Sequence, residues 1–244
     1  MAKERTVPES VGLPVICPFC GREFDYTMYP VIKIPGDNRL KKQLLNKDLY
    51  FPTCPYCREQ FKVKPNCVYF DARKAEMFIV TDASDKKIVE MVKTGDILPE
   101  DVRSPEDIPP FIGRLFRRRI VRDVDAFREK ILLSDCSYDD RIMELVKLAL
   151  SRLLQKESGQ HVYRIFLDQA SGNMLTFAAI LGMRPPFENV DVRTEASIYT
   201  KYKNKYLHRI GDPREDRYIF TDQKWAEESG LLNDEDEGYI MPMK

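Results

Sequence analysis

Cys17-Pro18-Phe19-Cys20-Gly21 and Cys54-Pro55-Tyr56-Cys57-Arg58 are the two stretches that decide how this chain folds. Each sets two thiols two residues apart across a tight turn. Such a pair can hold one tetrahedral metal without strain, and amides of the turn can donate to the sulfurs. Two pairs complete a Cys₄ shell, the structural zinc arrangement. Cys17, Cys20, Cys54 and Cys57 are therefore the expected ligands of one structural Zn²⁺. A closed shell leaves no open position, so the metal is expected to hold the fold and not to act on a substrate. Its removal is expected to unfold the surrounding segment, because binding energy is folding energy in small metal sites. A redox dithiol is the rival reading, and it needs a reactive thiol at a helix start. Here Gly21 follows the first pair and strand-forming Gln60-Phe61-Lys62-Val63 follows the second, and the motif occurs twice. Metal is favoured. Arg58 stands where a knuckle often carries glycine.

Working outward, the chain has 244 residues, 43% hydrophobic, 32% charged and 11% aromatic. This is the balance of a globular protein with a real core. Lys plus Arg equals Asp plus Glu at 39 each, so no global field attracts nucleic acid or an anionic membrane. Any such binding must come from a local patch. The longest near-apolar stretch, Leu175 to Met183, is too short to span a bilayer. The charged start Met-Ala-Lys-Glu-Arg does not resemble a signal peptide. A cytoplasmic location is the expectation. In a reducing compartment paired cysteines hold metal more often than disulfides. Cys67 and Cys136 then read as small core residues. Two histidines, His161 and His208, exclude a histidine-rich metal centre.

Patterning gives α+β. Glu23 to Ile34 reads as one long strand or a hairpin arm, and Asp37 or Asn38 can cap a short helix from Arg39 to Asn46. Strands are expected at Leu49 to Thr53, Gln60 to Lys64, Cys67 to Asp71, Glu76 to Thr81 and Leu115 to Arg122. Ser84 can cap a helix through Lys93, and residues 99–113 read as a loop. Helices follow from Asp123 or Asp125 to Leu133 and from Asp139 to Lys156, the second with Ile142, Val146, Ala149, Leu150 and Leu153 at helical spacing. Glu157-Ser158-Gly159 stops it. Strands at Val162 to Leu167 and Met174 to Leu181, a helix from Glu195 to Leu207, a strand at Tyr218 to Phe220 and a last helix capped by Thr221 complete the chain. The acidic run from Asn233 to Gly238 reads as a solvated tail.

The paired motifs resemble the CpXC domain family of bacteria and archaea. So do Val68-Tyr69-Phe70-Asp71, Arg119-Ile120-Val121-Arg122, Phe127-Arg128-Glu129-Lys130-Ile131 and the run from Asp139-Asp140-Arg141 through Lys147. The resemblance covers Val15 to Gln155, and continues more weakly through Tyr218-Ile219-Phe220 and Trp225-Ala226. It implies the zinc site and the fold. The family carries no established activity that could be transferred.

The expected organisation is a zinc-binding domain over 14–123 with a ribbon core at 14–82, a helical pair at 124–156 closing it, and a smaller α+β region at 157–244. Arg114, Arg117, Arg118, Arg119 and Arg122 form the sharpest charge feature, a candidate phosphate contact. A strand cannot point all of them one way, so pairing with nearby acids is the plainer reading. Tyr199, Tyr202 and Tyr206 share a helical face beside Lys201 and Lys205. That mixture suits a nucleic-acid groove, or tyrosines packed on a sheet with lysines in solvent. Asp139, Asp140 and Arg141 at a helix start suit capping and the helix dipole. No Gly-rich phosphate loop, nucleophile elbow or His-Glu-Xaa-Xaa-His motif occurs.

Three functions fit. The first is a non-catalytic, zinc-stabilised binding or scaffold protein acting through a protein partner. The second is a nucleic-acid or ribosome-associated protein using Arg117, Arg118, Arg119, Arg122, Lys201 and Lys205. The third is an enzyme with an unrecognised inter-domain site.

Overall fold

The computed structural model describes residues 10–81, 83–84, 86–87, 117–211 and 220–233. Among them are nine strands in three sheets and five α-helices, a mixed α+β arrangement. They form two compact units, one built from residues up to Arg128 and the other from Glu129 onward. The first cysteine pair lies in the turn between two antiparallel strands, and the second lies in the turn closed by the Thr53–Gln60 bridge.

In the first unit, β1 (Val11–Ile16) pairs antiparallel with β2 (Glu23–Met28). Cys17 donates its amide to Arg22 O at 2.9 Å, so the odd-numbered residues of β1 pair with β2. The Pro14 nitrogen then points away from β2, where a missing donor breaks no bond of the pair. Glu23 to Ile34 is not one long strand: β2 forms a hairpin arm with β1, and β3 (Val31–Ile34) belongs to a different sheet. Pro30 stands at the break and lacks the amide that would continue the ladder. α1 (Asn38–Leu45) starts one residue early. The Asp37 side chain makes no cap bond and instead accepts from Lys33 N at 2.8 Å.

The strands expected at 49–53 and 60–64 do not form; only Thr53 and Gln60 make an isolated bridge. Tyr50 lies in the left-handed region (φ 67) and Pro52 has no donor, so neither segment can extend a ladder. Their backbone groups bond across the turn, Phe61 N to Pro52 O and Val63 N to Tyr50 O. Tyr50 is fully buried, taking Tyr26 Oη on its amide and giving its own hydroxyl to Tyr29 O, both at 2.7 Å.

β4 (Cys67–Asp71), β5 (Glu76–Val80) and β6 (Arg117–Val121) complete a sheet ordered β3-β4-β5-β6. β5 is buried on both faces, as a central strand should be. Tyr69 stacks on Phe78 at 5.7 Å and meets the edge of Phe127 at 6.2 Å. The helix expected from Ser84 falls outside the described residues beyond its first turn, as does the loop at 99–113. Asp123 Oδ1 takes the amides of Asp125 and Ala126 and starts α2 (Val124–Asp135).

In the second unit, α3 (Asp140–Ser158) packs on the antiparallel sheet β7 (Val162–Ser171), β8 (Met174–Leu181), β9 (Glu188–Glu195). The Asp139 side chain caps α3 by accepting Arg141 N, and Gly159 at φ 67 ends it. Alternating Leu175, Phe177, Ala179 and Leu181 on β8 face the core. α4 (Ser197–Tyr206) adds Ile198, Tyr199, Tyr202 and Tyr206, and a 3₁₀ turn follows at Leu207–Arg209. α5 (Gln223–Glu228) is capped by Asp222, not Thr221: Asp222 Oδ1 accepts Trp225 N at 2.9 Å. Phe220 is not in a strand, and the rest of that expected strand lies outside the described residues.

Candidate metal centre

Each cysteine pair sits on the same turn. Gly21 N donates to Cys17 O at 2.9 Å, and Arg58 N donates to Cys54 O at 3.0 Å. Cys17 N bonds Arg22 O, and Cys54 N bonds Glu59 O, both at 2.9 Å. The chain therefore builds one turn twice, and the turns bring four thiols together. Cys17, Cys20, Cys54 and Cys57 present sulfurs that all lie within 4.8 Å of one another. Cys17 and Cys57 stand 3.6 Å apart, Cys20 and Cys54 3.7 Å. A tetrahedron with metal–sulfur bonds near 2.3 Å has edges of about 3.8 Å. The donor set fits a metal ion of zinc's size and preference.

Cys17 and Cys54 are buried, Cys57 is half-buried and Cys20 faces solvent. Burial opposes ionisation of Cys54. The amides of Cys57 and Tyr56, with the thiols of Cys57 and Cys17, outweigh it and pull that pKa down to about 6. Cys57 bonds the Glu59 amide, which favours its thiolate; burial and the three neighbouring sulfurs push it up to about 12. Cys67 is buried in β4, its thiol pushed up to about 12 by burial. Cys136 is half-buried in the second unit. Neither belongs to the four-sulfur cluster.

Arg117, Arg118 and Arg119 stand on β6, and Arg122 follows it. Arg117 pairs with Glu76 and lies over the Phe78 ring at 5.7 Å. Arg118 is half-buried. Arg119 is 1% exposed and donates Nη1 to Arg118 O at 2.8 Å. Arg122 donates to Ala83 O. Arg114 lies outside the described residues. Lys201 and Lys205 are exposed on α4, while Tyr199, Tyr202 and Tyr206 are buried beneath them.

A second cluster has no counterpart in the sequence reading. Along α2 and α3 run five buried charges of alternating sign. Lys130 meets Asp140 at 3.1 Å and Glu144 at 3.3 Å. Lys147 meets Glu144 at 2.9 Å and Glu129 at 2.8 Å. Lys130 also donates to Thr221 O, and Glu129 accepts the Leu167 amide, both at 2.6 Å. Burial raises the pKa of Glu144 although both lysines act to lower it, and its Oε2 has no partner. Burial acts to lower that of Lys147, but Glu129 and Glu144 outweigh it and the pKa rises. The signal was present in the sequence. Seven of the nine positions from Ile142 to Leu150 are apolar, all but Glu144 and Lys147, which leaves those two no solvated face.

Fold and site together define a mixed α+β protein with a four-cysteine metal-type centre near its N-terminus. The family model described as CpXC protein matches residues 15–147, more than half of the 244-residue chain. The chain belongs to the CpXC family. Comparison with the curated proteins and with the solved structures gave no match. Among the described residues no helix is long and apolar enough to cross a membrane.

Proposed function

We propose that this chain is a non-catalytic binding protein, stiffened by one zinc ion on Cys17, Cys20, Cys54 and Cys57, that acts by holding a protein partner. The distribution of exposed apolar side chains carries this reading. Of nine large hydrophobic residues exposed among the described residues, three lie on or beside the cysteine turns and two more on β1, the strand that leads into the first turn. They are Val11, Leu13, Ile16, Phe19 and Tyr56, with Ile16 at 65%, Phe19 at 61% and Tyr56 at 51%. Arg22 stands over the Tyr56 ring at 5.1 Å, linking the two turns. Aromatic residues and arginine on a rigid support are what a partner-binding surface uses. A four-thiolate shell offers no position to a substrate, which favours a structural metal.

The test is co-purification from the native host with and without nuclease, using the full chain and a Phe19→Ser/Tyr56→Ser variant. A defined protein should survive nuclease and high salt with the parent chain. The variant should lose it while keeping stoichiometric zinc. Retention of the same protein by the variant, or recovery of nucleic acid alone, would defeat the reading.

A further inference from the structure

We infer that the outer face of α4 and the 3₁₀ turn after it binds the phosphate backbone of a nucleic-acid duplex without reading its sequence. The inference uses other residues than the protein-docking reading and goes beyond it. From Ala196 to Gly211 the chain has Lys201, Lys203, Lys205, His208 and Arg209 and no acidic residue. All five basic side chains are exposed. Lys201 and Lys205 stand one helical turn apart, about 6 Å along the axis. Lys205 Nζ and Arg209 Cζ lie 5.4 and 5.9 Å from the Tyr206 ring, so both gather around one residue. The result is a positive stripe on a chain whose net charge is zero.

Basic residues near a helix C-terminus also answer the helix dipole, but that effect falls off within the last turn. It accounts for Lys203 and Lys205 and not for Lys201. The tyrosines choose between nucleic-acid forms. Unpaired bases are held by stacking on exposed aromatic rings, and Tyr199, Tyr202 and Tyr206 are only 5%, 2% and 1% exposed. A single strand gains no stacking here. A duplex offers twice the phosphate density along its axis, and lysines in solvent suffice to meet it. The arginines on and just after β6 are not needed: Arg119 is buried, and Arg117 and Arg122 are held by Glu76 and Ala83.

The experiment is fluorescence anisotropy with the full-length, zinc-loaded chain. The probes are a labelled mixed-sequence duplex and a labelled single strand of equal length. The duplex should bind at least as tightly as the strand. About three phosphate contacts should weaken binding roughly 40-fold between about 50 and about 200 mM salt. Lys201→Glu/Lys205→Glu/Arg209→Glu should lose duplex binding at least about tenfold, with unchanged circular dichroism and zinc content. The milder Lys201→Gln/Lys205→Gln/Arg209→Gln should lose part of it and guards against misfolding. No duplex binding by the full chain at about 50 mM salt overturns the inference. So does tighter binding of the single strand, or undiminished binding by the glutamine variant.

Discussion

Gly21 and Arg58 occupy the same place in two matching turns, each left-handed (φ 70 and 67) and each donating its amide to the carbonyl of the first cysteine of its pair. Glycine adopts that backbone freely, whereas an L-residue there costs about 1–2 kcal/mol. An added Cβ at Gly21 would meet nothing within 4 Å, so its cost is conformational only. Gly21→Ala should destabilise the zinc-loaded protein by about 1 kcal/mol. Arg58→Gly should stabilise it by up to about 1 kcal/mol, since relief of strain is partly offset by a freer unfolded chain. Urea unfolding of both variants tests this; shifts of the same sign would contradict it.

Removing the metal should undo the segments around the cysteine turns and spare the second unit. The segments around the turns have two β-strands and one isolated bridge to hold them, while structural zinc contributes on the order of 10 kcal/mol or more in small sites. Chelation, or Cys54→Ser, should abolish amide protection over residues 10–65. Protection in β7 and β8, whose core is Leu167, Leu175 and Phe177, should persist. Hydrogen exchange read by mass spectrometry decides it. Protection that survives chelation at Cys17 and Cys54 would remove the metal's structural role.

The cysteine turns were legible because all their information is local: two thiols, a proline between them and a positive-φ residue after. β4, β5 and α3 were legible for the same reason, their apolar periods being uninterrupted. The segments at 49–53 and 60–64 misled because β-forming side chains cannot reveal a left-handed Tyr50 or the use of Phe61 N by Pro52 O. β9 escaped notice because Glu188 to Glu195 is polar at most positions and places only Val192 and Thr194 fully inside. The Glu129–Lys147 pair escaped notice because its two members lie 18 residues apart on different helices.

Location decides what an ion pair is worth. Lys147 is 6% exposed between Glu129 and Glu144, whereas Lys62, paired to Asp125 at 2.5 Å, is 54% exposed. Lys147→Met would leave two buried carboxylates short of a partner and should cost about 3–5 kcal/mol. Lys62→Met should cost less than about 1 kcal/mol. Chemical denaturation of the two variants tests the contrast, and equal costs would refute the burial argument.

The same lysine sets an alkaline signature. Its folded pKa is raised above the ordinary lysine value, because Glu129 and Glu144 outweigh its burial. A raised lysine contributes stability that is whole below its unfolded pKa, near about 10.4, and is lost as pH climbs through the folded value. The stability gap between the parent and Lys147→Met should therefore be constant from about pH 8 to about pH 10 and shrink above. Paired unfolding curves across that range measure it. A gap that widens with pH would mean that Lys147 is buried neutral.

Tyr199 tests whether the α4 tyrosines hold the second unit together. Its hydroxyl oxygen accepts the Asp139 amide at 2.7 Å, its ring lies 4.3 Å from that of Tyr138, and it is 5% exposed. Asp139 is the residue whose side chain caps α3 and clasps Arg141, which in turn donates to Gly211 O at 2.8 Å. Tyr199→Phe keeps the ring and removes one oxygen, leaving the Asp139 amide without that partner. An amide so orphaned costs about 1–3 kcal/mol. The loss should appear as reduced protection at the start of α3, with metal content unchanged. It should leave duplex binding by Lys201, Lys205 and Arg209 intact, because the hydroxyl faces the core and the lysines face solvent. Lost duplex binding with unchanged α3 protection would instead make Tyr199 a contact residue.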